Sequence, residues 1–209
     1  MPRQVRKQIS KLSISPGELL SDQVTTNEIK IILRELAKVD GITGDVVELG
    51  CYIGTTSVFL AKYLRDTDKK LYVYDSFAGL PPKTVHDESP AGLQFKTGEL
   101  LATKKLLIKN FKQANLPLPN IKKAWFCDLL PSDMPEQISF AFLDGDYYNS
   151  VMDSLKLVWP KLVAGAVVVV DDYVNEALPG AAKAVDEWLR IHPAKLRIEA
   201  SLAILQVDK

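Results

Sequence analysis

The chain has 209 residues, its 26 lysines and arginines balance 26 aspartates and glutamates, and 47% of its residues are hydrophobic. A chain of this length can bury one sizeable core, so a single domain over residues 1–209 is expected. The net charge of zero excludes a strong field toward nucleic acid or an acidic membrane and favours a small-molecule partner. Cys51 and Cys127 lack the spacing of a disulfide framework or a zinc site, and no run of about 18 apolar residues occurs, so a cytoplasmic protein is expected.

The apolar pattern alternates between strands and helices. Residues 1–44 are predicted to form a basic N-terminal arm and an amphipathic helix that begins at the capping box of Thr25 and Glu28. Strands are predicted at 46–49, 71–74, 124–126, 140–143 and 166–170, helices at 56–64, 98–115, 147–162 and 181–191, and a closing strand pair at 196–198 and 202–207. Strands separated by helices pair in parallel, whereas two strands joined directly must be antiparallel. The pattern predicts an α/β fold, a doubly wound, Rossmann-like, mostly parallel sheet of seven strands with an antiparallel final strand.

Residues 77–97 carry several prolines and glycines and little periodicity. A loop of this length inside a compact domain is often functional, and this one follows the second predicted strand. We interpret it as a candidate lid, with a plain surface loop as the alternative. His86 within it is expected to be a solvated loop residue.

The first strand runs into a glycine-spaced turn and then a helix. Glycine lets the backbone approach a ligand closely, and a helix start offers free N–H groups. Glu48 precedes Gly50 by two residues and Gly54 follows it by four, which is not the spacing of a dinucleotide fingerprint. A carboxylate at Glu48 favours a cationic ligand, and the run resembles motif I of class I S-adenosylmethionine methyltransferases. The cofactor-contact candidates from this motif are Glu48, Gly50, Tyr52, Gly54, Thr55 and Ser57.

Acidic residues follow nearly every predicted parallel strand, where ligands bind in such sheets. Asp75 lies 21 residues beyond Gly54, close to the offset at which an acid contacts ribose hydroxyls, and Ser76 follows it. Near the third strand, Phe126 and Asp128 are candidates for an adenine slot with one polar partner.

Three further acids, Asp144, Asp171 and Asp172, end two neighbouring strands. Hard oxygen donors grouped in this way are the ligands that Mg²⁺ or another divalent cation prefers. The alternative is that Asp171 and Asp172 are capping or salt-bridged residues at the edge of the sheet.

Several motifs together resemble one family. They are Tyr74-Asp75-Ser76-Phe77, Phe142-Leu143-Asp144-Gly145-Asp146, Val169-Val170-Asp171-Asp172-Tyr173 and Pro179-Gly180. The chain resembles the macrocin-type sugar O-methyltransferases, metal-dependent enzymes that methylate hydroxyls on the sugars of natural products. The resemblance implies S-adenosylmethionine and Mg²⁺ as cofactors, metal ligands at Asp144, Asp171 and Asp172, and Asp146 as general base beside Asp144.

The resemblance implies a hydroxyl on a small-molecule acceptor, with a sugar or glycosylated natural product as the expected substrate. A catechol or phenolic O-methyltransferase with the same metal triad is one alternative, and a non-catalytic S-adenosylmethionine-binding protein is another. We expect Trp188 to pack within the molecule, and we leave a homodimer open.

Overall fold

The computed structural model of the chain describes residues 14–91 and 95–207 and contains a seven-stranded sheet in the order β3-β2-β1-β4-β5-β7-β6. The strands are β1 (Asp45–Leu49), β2 (Leu71–Asp75), β3 (Asn120–Lys123), β4 (Ile138–Leu143), β5 (Leu162–Val170), β6 (Lys195–Glu199) and β7 (Leu202–Gln206). Strands β1 to β5 pair in parallel, and β7 runs antiparallel to both of its neighbours. The predicted fold class is confirmed.

Within the described residues, five α-helices connect or flank the strands. They are α1 (Thr26–Ala37), α2 (Thr55–Leu64), α3 (Lys104–Gln113), α4 (Tyr148–Val158) and α5 (Pro179–Leu189). One apolar cluster joins α1, α2 and α3 to one face of the sheet, and a second joins α4 and α5 to the other face. Successive valines of β5 enter opposite clusters, Val167 and Val169 in the first and Val168 and Val170 in the second. Because both faces are covered, the central strands read as continuous apolar runs.

Two predicted elements lie elsewhere than their apolar pattern suggested. Helix α3 begins at Lys104 instead of 98, because the Thr103 side chain accepts a hydrogen bond from Leu106 N at 3.2 Å and Gly98 pairs with the backbone of Leu80. The third strand is Asn120–Lys123, and 124–126 follow it. Strand β3 lies at the sheet edge and is largely exposed, so it carries no apolar signature.

Trp188 packs within the molecule, as the sequence predicted. This side chain is 7% exposed, stacks on His192 with ring centroids 3.8 Å apart, and meets Trp159 edge-on. A homodimer stays a prediction. The predicted N-terminal arm begins outside the described residues, and no helix in the described part of the chain is long and apolar enough to cross a membrane.

Candidate functional site

A cavity of about 930 Å³ lies at the carboxyl ends of β1, β2, β4 and β5. This is the edge of a parallel sheet at which ligands bind. Its wall includes the glycine turn after β1, the ends of β2 and β5, the first turns of α4 and much of the segment that follows β2. The candidates that border it are Gly50, Tyr52, Asp75, Ser76, Phe126, Asp144, Asp146, Asp171 and Asp172.

The turn after β1 is pressed against the end of β4. Gly50 has a φ of +92°, and a Cβ placed on it would lie 1.8 Å from the carbonyl oxygen of Asp144. The backbone N–H of Asp144 in turn donates to the Leu49 carbonyl at 2.8 Å. Only glycine fits this approach, so the predicted cofactor turn and the first predicted metal ligand form one rigid unit.

Asp75 organises this turn. One carboxylate oxygen accepts from the backbone N–H groups of Cys51 at 2.8 Å and Tyr52 at 3.2 Å, and the other accepts from Phe77 at 2.6 Å. The residue also borders the cavity, as does Ser76. Its contact with a ribose stays a prediction, but its role in shaping the turn is evident from the geometry.

Four other candidates from the motif lie outside the cavity wall. Glu48 and Ser57 are fully buried, and the Ser57 hydroxyl donates to Glu48 Oε2, whereas Glu48 Oε1 has no hydrogen-bond partner. Burial raises the pKa of Glu48 to about 8 against the opposing effect of the Ser57 hydrogen bond. A Cβ on Gly54 would lie 2.3 Å from a methyl carbon of Leu107, and Thr55 Oγ1 lies 3.2 Å from Ser21 Oγ. These residues support the turn from beneath.

The predicted adenine slot is only partly in place. Phe126 begins a short 3₁₀ turn, Phe126–Asp128, and borders the cavity together with Trp125 and Cys127, whereas Asp128 is exposed and does not border it. Helix α4 adds Asn149, Ser150 and Asp153 to the wall of the cavity. Sequence reasoning missed these three residues, although their helical spacing just after Asp146 was a usable signal.

Three carboxylates converge at the floor of the cavity. Asp144, Asp146 and Asp172 each offer one oxygen, and these oxygens all lie within 4.8 Å of one another. Asp146 and Asp172 have φ values of +58° and +57°, a left-handed conformation that is sparsely populated away from glycine and that clusters at functional sites. We call these three residues the carboxylate cluster.

Asp171, the other residue predicted as a metal ligand, is not part of the carboxylate cluster, and its role as a ligand stays a prediction. Its Oδ1 accepts from Ser201 Oγ at 3.1 Å and from the backbone N–H of Asp172 at 2.8 Å. The Ser201 hydroxyl also contacts Glu28 Oε1 at 2.5 Å. Asp171 still borders the cavity, but the cluster contains Asp146 in its place.

The electrostatics of the cluster favour a cation. Burial raises the pKa of Asp144 and Asp146 well above the usual range, and neighbouring carboxylates raise them further, led by Asp171 for Asp144 and Asp172 for Asp146. Burial also raises the pKa of Asp172, although a hydrogen bond from Asn175 opposes the shift. Crowded carboxylates of this kind ionise together only when positive charge is near. Three oxygen donors around a cavity fit a hard divalent cation with open positions for further oxygens.

The segment that follows β2 covers one side of the cavity. Residues Gly79, Leu80, Pro81, Pro82, Lys83, Thr84 and Asp87 border it. The side chains of Leu80, Tyr147 and Leu178 form a small apolar cluster beneath the segment. His86 is exposed and does not border the cavity, which matches the expected loop position.

Comparisons with known proteins give the family. The model of the macrocin-O-methyltransferase (TylF) family matches residues 26–203. An 8-demethyl-8-(2,3-dimethoxy-α-L-rhamnosyl)-tetracenomycin-C 4'-O-methyltransferase of Streptomyces olivaceus is 32% identical over 68% of this chain and 58% of its own length. A mycinamicin III 3''-O-methyltransferase of Micromonospora griseorubida is 29% identical over 76% of this chain and 65% of its own length.

The solved structure of the O-methyltransferase NovP has a TM-score of 0.74 and 26% identity and covers 87% of this chain and 79% of that one. The chain thus spans about three fifths of the length of the curated relatives it matches. The family match covers most of the described chain, including the glycine turn, the carboxylate cluster and the segment over the cavity. The chain belongs to the macrocin O-methyltransferase family.

Proposed function

We propose that the chain is a metal-dependent S-adenosylmethionine O-methyltransferase that acts on a hydroxyl of a small molecule, a sugar or a glycosylated natural product. One observation carries the proposal: the glycine turn after β1 and the carboxylate cluster border the same cavity. The names of two relatives support the acceptor class, because one is a 4'-O-methyltransferase of a rhamnosyl-tetracenomycin and the other a mycinamicin III 3''-O-methyltransferase.

The cofactor would lie along the wall made by the glycine turn and the end of β2. Gly50 lets the turn pack against the carbonyl of Asp144 there, and Asp75 and Ser76 also border the cavity. Trp125 and Phe126 offer aromatic surface for the adenine, and polar residues of α4 border the same cavity. Glu48, which lies beneath the wall, would then act on the cofactor through the turn it supports.

The cation would be held by Asp144 and Asp172, with Asp146 directed at the same space. When bound, S-adenosylmethionine supplies the methyl group, and a divalent cation such as Mg²⁺ lowers the pKa of a hydroxyl and fixes its approach. Asp146, whose carboxylate lies beside those of Asp144 and Asp172, would accept the proton that the hydroxyl loses. The cavity walls hold the hydroxyl in line with the methyl group, which supplies much of the remaining rate enhancement.

The test is a matched pair of variants, Asp172→Asn and Asp171→Asn, studied by calorimetry with S-adenosylhomocysteine and Mg²⁺. We expect Asp172→Asn to lose Mg²⁺ binding and methyl transfer while S-adenosylhomocysteine affinity stays close to that of the wild type. Asp171→Asn should keep most of the Mg²⁺ affinity, because Asp171 is not part of the carboxylate cluster and its Oδ1 accepts a hydrogen bond from Ser201. Equal loss in both variants would restore Asp171 to the ligand set.

The acceptor is tested by turnover on a glycoside with free sugar hydroxyls and on a vicinal phenol. Methylation of the glycoside supports the proposal, whereas methylation of the phenol alone would select the phenolic alternative. A wild-type chain that binds S-adenosylhomocysteine but neither Mg²⁺ nor an acceptor would be the non-catalytic binding protein.

A further inference from the structure

We propose that Asp87 is a positioning residue that fastens residues 79–91, the covering segment, to the first turn of α4 and thereby holds the turn that carries Asp144 and Asp146. This inference rests on the proposed function, because it concerns the geometry of the same site. It assigns a role to a residue that is outside the motifs that carry the family resemblance.

The carboxylate of Asp87 divides its two oxygens between the two elements. Oδ2 accepts from the backbone N–H of Thr84 at 2.8 Å and from its hydroxyl at 2.7 Å. Oδ1 accepts from the backbone N–H of Tyr148 at 2.7 Å. The residue is only 1% exposed, so water does not compete for these hydrogen bonds. One buried side chain therefore links the covering segment to the helix.

Helix α4 needs this contact because its own N-cap residue cannot supply it. The N-cap is Tyr147, whose side chain makes no capping hydrogen bond. The first N–H groups of a helix lack intrahelical partners, and a carboxylate there satisfies a donor and interacts favourably with the helix dipole. Asp87 thus caps α4 from 61 residues earlier in the chain.

The surroundings are shaped to admit this carboxylate. A Cβ on Gly180, at the start of α5, would lie 1.9 Å from Asp87 Oδ1 and 2.6 Å from the backbone nitrogen of Tyr148. Beside it, the ring of His86 stacks on that of Tyr148 at 4.0 Å, and Lys183 Nζ donates to the His86 carbonyl at 2.5 Å. The contact is a packed junction of three elements and not an incidental surface hydrogen bond.

The consequence for the site follows from the short distance along the chain. Tyr148 is two residues beyond Asp146, whose left-handed φ of +58° must be maintained by its neighbours. The other end of the junction holds Lys83 and Thr84, which border the cavity. Loss of the Asp87 carboxylate should therefore loosen the carboxylate cluster and the cover together, while the glycine turn after β1 keeps its own hydrogen bonds to Asp75.

The test compares Asp87→Ala and Asp87→Asn with Asp133→Asn, a control in which the carboxylate also accepts from a backbone N–H, that of Leu130 at 2.9 Å, but does not border the cavity. Outer partners of metal ligands typically contribute about 10- to 100-fold to metal affinity or activity. We expect Asp87→Ala to lose Mg²⁺ affinity and kcat in that range, with the S-adenosylhomocysteine Kd within about threefold of the wild type, since the glycine turn is untouched. Asp87→Asn keeps one acceptor oxygen for Tyr148, so its Mg²⁺ affinity and kcat should lie between those of Asp87→Ala and the wild type. Asp133→Asn should match the wild type.

Trypsin cleavage after Lys83 gives a readout that needs no turnover. Asp87→Ala should be cut faster there than the wild type and Asp133→Asn, and this comparison holds even if the chain transfers no methyl group, so failure of the proposed function is distinguishable. Unchanged Mg²⁺ affinity and unchanged cleavage in Asp87→Ala would overturn the inference. So would a loss of Mg²⁺ affinity as large in Asp133→Asn as in Asp87→Ala. If Asp87→Ala does not fold, Asp87→Asn decides by the same measurements.

Discussion

Replacing Glu48 with glutamine should remove a pH dependence of folding stability that the wild-type chain carries. Glu48 lies in β1 with no exposed surface, its Oε2 accepts from the Ser57 hydroxyl, and its Oε1 has no hydrogen-bond partner. Burial is the main reason that its pKa rises to about 8, and the nearby charge of Asp75 adds to the rise. Glutamine keeps an oxygen for Ser57 but has no charge to bury.

The direction of this pH dependence follows from which state, folded or unfolded, holds the Glu48 proton more tightly. The pKa of Glu48 is about 8 in the folded state and near its ordinary value of 4.5 when unfolded, so the folded protein binds the proton more tightly. The free energy of unfolding is therefore highest below the unfolded pKa and falls as the pH rises toward the folded pKa. Each pH unit in this window costs about 1.4 kcal/mol. Through this group the wild type should lose roughly 2 to 3 kcal/mol from about pH 5 to pH 7 and about 1 kcal/mol more by pH 9.

Urea denaturation of the wild type and Glu48→Gln at these pH values measures the difference between their free energies of unfolding. Taking this difference cancels the contributions of the other buried acids. Glu136→Gln is the control, because that side chain is 93% exposed and its ion pair with Lys161 is long at 3.4 Å. The stability of Glu48→Gln relative to the wild type should increase with pH, whereas that of Glu136→Gln should not. A constant offset between Glu48→Gln and wild type would refute the reasoning, since it would mean that Glu48 stays ionised in the fold.

Three other outcomes are expected. Gly50→Ala should lower the melting temperature and the S-adenosylhomocysteine affinity, because its Cβ would overlap the Asp144 carbonyl. Gly17→Ala, whose Cβ would have no atom within 4 Å, should change neither quantity, as thermal denaturation and calorimetry would show. Cys127, which is exposed at the cavity, should be alkylated in the native protein and protected by S-adenosylhomocysteine, and buried Cys51 should not react, as peptide mass mapping would show. Mg²⁺ affinity measured by calorimetry should fall on acidification, because protons compete for the raised-pKa carboxylate cluster.

The fold was largely predictable because its signals are local. Runs such as Val167 to Val170 are apolar at every position, and the glycine turn and capping boxes mark where elements begin. The misplaced elements lacked such signals. Strand β3 is polar because it is an exposed edge strand, and the start of α3 depends on the pairing of Gly98 with Leu80, which brings together two ends of a long loop.

The site was predictable as a set of acids at the sheet edge but not as a particular arrangement. Asp171 and Asp172 are adjacent, and sequence spacing treats them alike. Both border the cavity, but Asp171 Oδ1 accepts from Ser201 and from the Asp172 backbone, whereas Asp172 offers an oxygen to the carboxylate cluster. Ser201 lies between β6 and β7, so the partner that occupies Asp171 comes from a connection that no motif marks.

The same backbone explains why aspartate suits both Asp146 and Asp172. Each has a left-handed φ, a conformation that aspartate and asparagine tolerate better than other residues with a side chain. Replacement by asparagine therefore removes the charge and preserves the backbone preference, whereas replacement by alanine removes both. If the charges are what the cluster contributes, an asparagine variant should lose Mg²⁺ affinity as completely as the alanine variant at the same position. If the backbone turn is the main contribution, asparagine should retain most of that affinity. At each position, the comparison of asparagine with alanine therefore separates the effect of the charge from that of the backbone conformation.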